Sequence, residues 1–465
     1  MQEVVVSRPS LSQLLRLAWP IVIARSAQVV IGVTDSLLVA PLGEDALAAT
    51  TTGAMNSFAF LGLALGTVFI VGSFAAQMTG RGDAAGARRF AHYGLVIALG
   101  AQLMAIAALP ALGTMLGATG VSPSVRELIR GYMNIRLLSV GAAVGLEALG
   151  SYYGGIKNTV LPMTAQVLAM VLNVLLNWVL IGGHWGAPAL GVRGSALAST
   201  LATTVAFLFL AFCFFRSREA PAGPMRLREL GRTLRFGLPV GFNFLIEMLA
   251  FLLFVNVVVG GLGTAELAAT MAVIQLNSVA FMPAFALATA GSIFVGQAIG
   301  ANQRDDVPAT VRLTVLTTVG WQGLCAALYV IAPRVWLGPF VPPGAAEFLD
   351  LAAGLLMLSA VWQLFDGVAV AYVEALRAAG DTTFSLWARA GIGWLVFVPG
   401  AVVSTRVFHL RERGAALWLI VYLALLAVVM VLRFRSGRWR KLEIIEPQVE
   451  DDPASAATTD AAGGM

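Results

Sequence analysis

The sequence predicts an all-α polytopic membrane protein with twelve transmembrane helices arranged as two parallel six-helix repeats. Three observations lead to this fold class. Charged residues are scarce, apolar stretches of spanning length recur along the chain, and blocks of identical residues return at a constant offset. A spanning helix needs about 20 predominantly apolar residues, because the hydrocarbon core of a bilayer is about 30 Å thick.

Composition excludes a water-soluble protein. Of 465 residues, 30 are Lys or Arg and 25 are Asp or Glu, so 12% are charged, against about 25% in a soluble domain. Apolar residues make up 58%, and too few polar groups remain to cover the surface of a soluble protein. Cys213 and Cys325 lie in apolar segments and the three histidines are scattered, so neither a disulfide framework nor a metal site built on them is predicted.

Twelve apolar stretches, separated by short polar or Gly/Pro-marked breaks, are predicted to be the spanning helices. Arg136 and Glu147 interrupt the fourth. The stretches are 14–40, 52–78, 92–116, 128–152, 160–183, 190–215, 234–260, 266–298, 309–332, 346–376, 384–405 and 414–433.

Lysine and arginine orient the chain. With both termini in the cytoplasm, the predicted inside segments hold 21 Lys and Arg, including Arg389, and the outside segments hold 7. Such a bias is typical of a membrane protein inserted with its cationic loops in the cytoplasm. The same loops account for the net charge of +5, so no nucleic-acid partner is predicted.

The chain repeats itself at an offset of 220 residues. Six positions in two blocks return there, and further on Gln77 and Gly80 return as Gln297 and Gly300. Two prolines, Pro20 and Pro239, correspond at an offset of 219 and are predicted to kink their helices. The first blocks are Leu42-Gly43 with Leu262-Gly263, and Leu47-Ala-Ala-Thr50 with Leu267-Ala-Ala-Thr270.

A duplicated unit of six helices returns the chain to its starting side, so the repeats are predicted to be parallel, with a cleft between two bundles. We call residues 1–218 the N-lobe and residues 219–445 the C-lobe. The cationic stretch 216–235 links them, with helix-breaking proline and glycine near its start. The polar tail 446–465 is predicted to be disordered.

Three carboxylates lie deep in predicted spans: Asp35, Glu247 and Asp366. A charge at mid-bilayer costs about 2.5–3.5 kcal/mol on insertion scales, so these residues are functional candidates. Glu374 and Arg377, at i and i+3 near a helix end, are predicted to form a structural pair. No carboxylate has an acidic counterpart in the other repeat, so each lobe is predicted to hold its own cation site.

The N-lobe candidates surround Asp35. Gln28 precedes it by seven residues on the same helix face. In helix 5, Asn173 and Asn177 are i and i+4, so both amides project from one face. They could coordinate a cation, hydrogen-bond to Asp35, or join helices as polar packing groups.

The alternative role for Asp35 is a structural ion pair with Arg25 or Arg136, both of which fall within predicted spans. Burial favours the protonated form of a carboxyl, and an acid that exchanges protons and also binds a cation is the minimal component of an antiporter. The default for an ionisable side chain in the membrane favours this functional reading over the ion pair.

The C-lobe candidates lie on two helices. Asn243 and Glu247 are i and i+4 in helix 7, and Trp362, Gln363 and Asp366 share a face of helix 10. An aromatic ring, an amide and a carboxylate that converge suit an organic cation. The alternative for Trp362 is core packing or an interface anchor.

At these residues the chain resembles the multidrug and toxic-compound extrusion (MATE) transporters, in their NorM-like branch, over about residues 12–435. The order and spacing of the matching stretches carry the resemblance. They are Leu17-Ala-Trp-Pro20 with Asp35, Leu42-Gly43 with Leu47-Ala-Ala, Leu172-Asn-Val-Leu-Leu-Asn-Trp178 with Gly191-Val-Arg-Gly-Ser195, Gly237-Leu-Pro-Val240 with Glu247, and Trp362-Gln363 with Asp366, Glu374-Ala-Leu-Arg377 and Gly380-Asp-Thr382.

The resemblance implies two lobes in a V, alternating access, and export of cationic amphipathic compounds in exchange for Na⁺ or H⁺. It implies a monomer in the bacterial inner membrane, with no bound cofactor. Asp35, Asn173 and Asn177 then form the N-lobe site for the coupling ion, and Glu247 and Asp366 form the C-lobe cation site. Either set is a possible Na⁺ site. Trp362 stands where NorM-like members often have Tyr, and Asn177 where some family members carry Asp.

Three other functions compete with this one: a flippase, an enzyme and a channel. A lipid or lipid-linked saccharide flippase of the same superfamily would favour a cationic cleft, and the deep acids argue against it. No enzyme is predicted, because the sequence has no metal-ligand spacing, Gly-x-Ser-x-Gly motif or phosphate loop. A channel is disfavoured, since two unlike lobes suit rocking better than a symmetric pore.

Overall fold

The computed structural model describes residues 8–117, 122–217, 223–340 and 346–446. Helices and turns make up these residues, and no β-strand occurs among them. Twelve helical spans are long and apolar enough to cross a membrane. The predicted fold class, an all-α membrane protein with twelve spanning helices, is confirmed.

Each span corresponds to one predicted stretch, and we number the spans in chain order. They are span 1 (Leu11–Leu42), span 2 (Glu44–Gly80), span 3 (Ala84–Gly117), span 4 (Pro123–Gly155), span 5 (Val160–Gly182), span 6 (Val192–Arg216), span 7 (Leu227–Val259), span 8 (Thr264–Gly300), span 9 (Val307–Ile331), span 10 (Phe348–Ala378), span 11 (Thr382–Arg406) and span 12 (Arg411–Arg435).

Several spans begin earlier than predicted, because polar residues extend the helices beyond the apolar stretch. Span 3 begins after Asp83, whose carboxylate accepts a hydrogen bond from the backbone of Gly86 (2.7 Å) as an N-cap. The linker is also shorter than predicted. Residues 223–226 are non-helical, as expected, but helix resumes at Leu227, so 227–235 belong to span 7. Most of the predicted tail, 447–465, lies outside the described residues.

The two prolines that are predicted to kink their helices do not end them. Pro20 lies within the continuous helix Leu11–Val39 and Pro239 within Leu227–Leu253. Irregular turns occur at other positions, among them π-helices at Phe254–Val259 in span 7 and Ile392–Phe397 in span 11. A π-helix costs regular hydrogen bonding and is frequent at functional sites.

The two lobes meet along a seam with local two-fold character. Gln77 at the end of span 2 donates from Nε2 to the carbonyl of Ala378 at the end of span 10 (2.8 Å). Its repeat equivalent, Gln297, donates to the carbonyl of Gly155 at the end of span 4 (3.0 Å). All of these residues lie at one end of the bundle, which we call the closed end.

Close backbone contact supports the seam. A Cβ on Gly80 would overlap the backbone carbonyl of Gln297, and a Cβ on Gly300 would overlap that of Gln77. Deeper along the seam, a Cβ on Gly66 of span 2 would also overlap the backbone of Gly241 in span 7. Glycine therefore lets the main chains of the two repeats touch.

Apolar and charged contacts reinforce the same end. At the start of span 1, Leu14 and Leu17 are buried against Ile293 and Phe294 of span 8. Arg377 of span 10 donates to the carbonyl of Phe69 in span 2 (2.9 Å). The predicted cleft thus has a floor in which both repeats take part.

The glycine contacts predict a specific defect in the seam. We expect Gly80→Ala to lower the free energy of unfolding by about 1–3 kcal/mol, because the new methyl group must push the Gln297 backbone away. Gly100→Ala, at a helix position where an added Cβ meets no atom within 4 Å, should be neutral or slightly stabilising. Melting temperatures of the purified proteins in detergent measure both. Equal melting temperatures for the two variants would contradict the seam contact.

Candidate functional site

Asp35 belongs to a closed ring of hydrogen bonds between three spans of the N-lobe. Asn177 in span 5 donates from Nδ2 to Asp35 Oδ1 and to Asn173 Oδ1 (3.0 Å). Asn173 donates to Ser199 Oγ in span 6 (2.9 Å), and Ser199 donates to Asp35 Oδ2 (2.9 Å). The ring thus joins spans 1, 5 and 6 around one carboxylate.

The ring is buried and has one acceptor to spare. Asp35 is 8% exposed, Ser199 5%, and the two asparagines are fully buried. Asn177 Oδ1 is buried without a hydrogen-bond partner. A buried acceptor without a donor is uncommon and needs a physical reason. Amide and carboxylate oxygens are of the kind that hard cations prefer.

Neither the predicted position of Gln28 in this site nor the pairing of Arg25 with Asp35 is found. Arg25 pairs with Glu147 of span 4 (2.8 Å), and Gln28 accepts a hydrogen bond from Arg25 (3.4 Å). Seven residues of helix separate Gln28 from Asp35 by about 10.5 Å, which is beyond the reach of the ring. Arg136 donates to Ser139 Oγ (3.3 Å) and acts on Asp35 only through its charge.

In the C-lobe, the deep carboxylates are held by two residues that the sequence analysis did not assign to a site. Glu247 forms an ion pair with Arg389 of span 11. Asp366 accepts a hydrogen bond from Gln322 Nε2 of span 9 (2.9 Å), and it interacts electrostatically with Glu247 and Arg389. The prediction that Arg389 is a cytoplasmic topology residue is wrong, because its side chain lies within a span and is only 13% exposed.

The predicted convergence of Trp362, Gln363 and Asp366 is also wrong. Trp362 is buried in an apolar cluster with residues such as Ala272 and Leu355, the core-packing alternative. Gln363 donates to Asn277 Oδ1 in span 8 (2.6 Å). Because successive helix residues differ by about 100° in direction, Trp362 and Gln363 face different neighbours on either side of Asp366.

Asn243 lies one turn before Glu247 in span 7 and is partly buried. Its Oδ1 has no hydrogen-bond partner although the atom is buried.

Of the site residues that the sequence analysis missed, some carry a sequence signal and others carry none. Ser199 follows Ser195 by four residues, which places two hydroxyls on one helix face, whereas Gln322 has no distinguishing neighbour.

The ring predicts that Ser199 matters for stability more than an ordinary buried serine. Ser199→Ala removes a donor to Asp35 and the acceptor of Asn173, so we expect a loss of about 1–3 kcal/mol in the free energy of unfolding. Ser57→Ala is the matched control, because Ser57 is equally buried and donates only to Gly53 within its own helix. Thermal unfolding in detergent measures both variants. A loss for Ser199→Ala no larger than the control's would argue against the ring.

Known proteins of one family are similar to this chain over most of its length. The profile of the MatE family matches residues 20–179 and 239–402 of the chain, one segment in each repeat. A probable multidrug resistance protein NorM from Pseudomonas aeruginosa is 30% identical and aligns with 98% of this chain and 96% of its own length. A probable NorM from Bradyrhizobium diazoefficiens is 32% identical, with coverage of 90% and 92%.

Solved structures share the fold. A crystal structure of MATE in complex with MaL6 superposes with a TM-score of 0.85 at 22% identity, covering 95% of this chain and 100% of that one. The outward-facing conformation of a multidrug resistance MATE family transporter gives a TM-score of 0.85 at 21% identity, covering 95% and 99%.

Proposed function

The chain belongs to the MatE family, and on this premise we propose that it is a secondary active multidrug efflux antiporter. It exports cationic amphipathic compounds in exchange for Na⁺ or H⁺ by alternating access, as a monomer in the bacterial inner membrane with both termini in the cytoplasm. The observation that carries the proposal is the buried ring around Asp35.

The ring can exist in two states of charge. An ionised Asp35 accepts hydrogen bonds from Asn177 and Ser199, and such charge-assisted bonds are about twice as strong as neutral ones. A proton on the carboxyl, or a cation bound to its oxygens, removes that charge. The two donors then lose their acceptor in part, and spans 1, 5 and 6 must adjust together.

Ion binding is thereby linked to helix position. The exchange of a coupling ion for an exported compound requires such a link. A ligand shifts a conformational equilibrium only through its different affinity for the two conformations. Asp35 sits in span 1, whose start packs into the seam between the lobes. The neutral donors Asn173, Asn177 and Ser199 would hold Na⁺ through their oxygens after small rotations, together with Asp35.

The substrate class follows from the accessible charge. Glu247 has a side chain that is 44% exposed although it lies within a span, and it follows Gly241, at the seam, by about 9 Å of helix. A carboxylate in such a position attracts cationic compounds into the cleft. The apolar surroundings of the spans suit the apolar part of those amphipathic compounds.

A lipid flippase of the same superfamily is the second candidate, because Arg25, Arg136 and Arg389 lie within spans. An anionic lipid headgroup would need free guanidinium groups. Arg25 and Arg389 are instead paired with Glu147 and Glu247, so efflux of cations is the better-supported function.

We expect Asp35→Asn to abolish ion-driven efflux while the protein still inserts, because the amide has no charge to exchange. Ethidium efflux from inverted or reconstituted vesicles should fall by about tenfold or more, equivalent to at least ~1.4 kcal/mol. Asp350→Asn is the matched control, since Asp350 is exposed and pairs with exposed Arg334. Unchanged efflux in Asp35→Asn at equal protein content would refute the assignment of the coupling carboxylate.

Separate gradients identify the coupling ion. In proteoliposomes that contain the purified protein, we expect an imposed inward gradient of either Na⁺ or H⁺ to drive efflux, with the other gradient held at zero. For each ion, efflux by the native protein is compared with efflux by the Asp35→Asn variant. No gradient-dependent transport of ethidium or other organic cations by the native chain would contradict antiport.

A further inference from the structure

Arg389 places a permanent positive charge beside Glu247, one of the two deep carboxylates of the C-lobe. It lies seven residues after the start of span 11 and three before the π-helix Ile392–Phe397. Its guanidinium pairs with Glu247 of span 7 and lies within electrostatic range of Asp366 of span 10. Span 11, which carries this cation, packs against both span 7 and span 10.

The charge of this cluster differs from that of a free pair of acids. Two carboxylates would carry two negative charges and would favour a bound cation, whereas Glu247, Asp366 and Arg389 together carry one. A guanidinium is not deprotonated in proteins, so its positive charge cannot be removed by pH. A metal ion could bind both carboxylates only if the guanidinium moved away from Glu247, at the cost of leaving a buried charge without its partner.

The pair is not a saturated structural salt bridge. Arg389 Nε is buried without a hydrogen-bond partner, and the two partners differ in exposure, 13% for Arg389 and 44% for Glu247. The acid faces the accessible side and the guanidinium lies behind it. A buried polar donor without a partner is uncommon and needs a physical reason, so the pair is not explained by stability alone.

The backbone next to the pair is irregular on both helices. Span 7 turns into a π-helix at Phe254, seven residues after Glu247, and span 11 does so at Ile392. The two π-helices pack on each other through Phe254 and Phe397, with ring centroids 5.0 Å apart. Such irregular turns permit local adjustment of a helix, here directly beneath the Glu247–Arg389 pair.

We propose that Arg389 is the resident cation of the Glu247–Asp366 pair and takes the place of a free metal ion there. In this chain the C-lobe acids therefore do not bind Na⁺, and a coupling ion binds in the N-lobe ring alone. The statement that the coupling ion binds in the N-lobe rests on the proposed antiport. The statement that Arg389 occupies the C-lobe site in place of Na⁺ does not depend on it.

The test is Na⁺ binding to the purified full-length protein, without any transport. Asp35→Asn serves as the background in every variant, so that the N-lobe ring does not contribute. Melting temperature in detergent is recorded in NaCl and in KCl at equal ionic strength, because a bound ligand stabilises the folded state. We expect no difference between the salts for Asp35→Asn, and a rise of about 2 °C or more in NaCl once Arg389→Gln is added.

Two further variants identify the residues responsible. Adding Glu247→Gln to the Arg389→Gln variant should abolish the Na⁺ response, because one of the two carboxylates is gone. Replacing Arg389 by lysine (Arg389→Lys) should leave the protein without a response, because the resident charge is kept.

Each result decides the proposal. A Na⁺ response in Asp35→Asn alone that disappears when Glu247→Gln is added would overturn it, and this comparison stands even if Arg389→Gln fails to fold. A folded Arg389→Gln variant that gains no Na⁺ response would overturn it as well. The antiport fails separately, if the native chain shows no gradient-dependent transport of ethidium, and that outcome leaves the Na⁺ measurement intact.

Discussion

An ionised side chain inside a bilayer must find its partner within the protein, and this requirement organises the helices around the candidate sites. Hydrocarbon offers no water to solvate a charge, so each buried charge fixes a contact between spans. Arg25 of span 1 is tied to Glu147 of span 4, and Glu247 of span 7 to Arg389 of span 11. Asp35 is held differently, because two neutral donors, Asn177 and Ser199, bond to its two carboxylate oxygens.

The seam shows how a duplicated chain can build a contact that both holds and releases. The same two residue types, glutamine and glycine, act from each repeat, as Gln77 with Gly80 and Gln297 with Gly300. An amide-to-carbonyl hydrogen bond contributes only about 1 kcal/mol net, since water replaces it when it breaks. Backbone contact through glycine adds shape complementarity between the two repeats without a strong directional bond. A seam of this kind can part without a large barrier, as alternating access requires.

Hydropathy and the repeat predicted the fold well, because lipid imposes a minimum helix length and the offset of 220 residues imposes six helices per lobe. The same information located Asp35, Asn173 and Asn177, since a charge or an amide pair stands out in an apolar helix. The candidates that failed needed knowledge of neighbouring helices. Trp362 and Gln363 differ by about 100° in direction, and only the packing of spans 8 and 10 decides what each one meets.

Arg389 was missed for a different reason. Near a predicted helix end, an arginine has the appearance of a topology signal, and counting by side of the membrane assigns it to water. Arg389 lies only a few residues inside the predicted stretch 384–405, and the structure shows that its side chain turns into the bundle and meets Glu247. An arginine at such a boundary is therefore worth testing against every unpaired acid of the same lobe before it is counted as cytoplasmic.

The two lobes thus share a seam but differ in chemistry. In the N-lobe, Asp35 accepts hydrogen bonds from the neutral groups of Asn177 and Ser199, and we propose that its charge is available to an ion from solution. In the C-lobe, a guanidinium fixed to the chain already supplies one positive charge to two acids. Duplication produced the scaffold, and substitutions within it gave the two lobes different roles. We propose that the N-lobe exchanges ions through Asp35 and that the C-lobe attracts cations through Glu247, whose side chain is the exposed one of its ion pair.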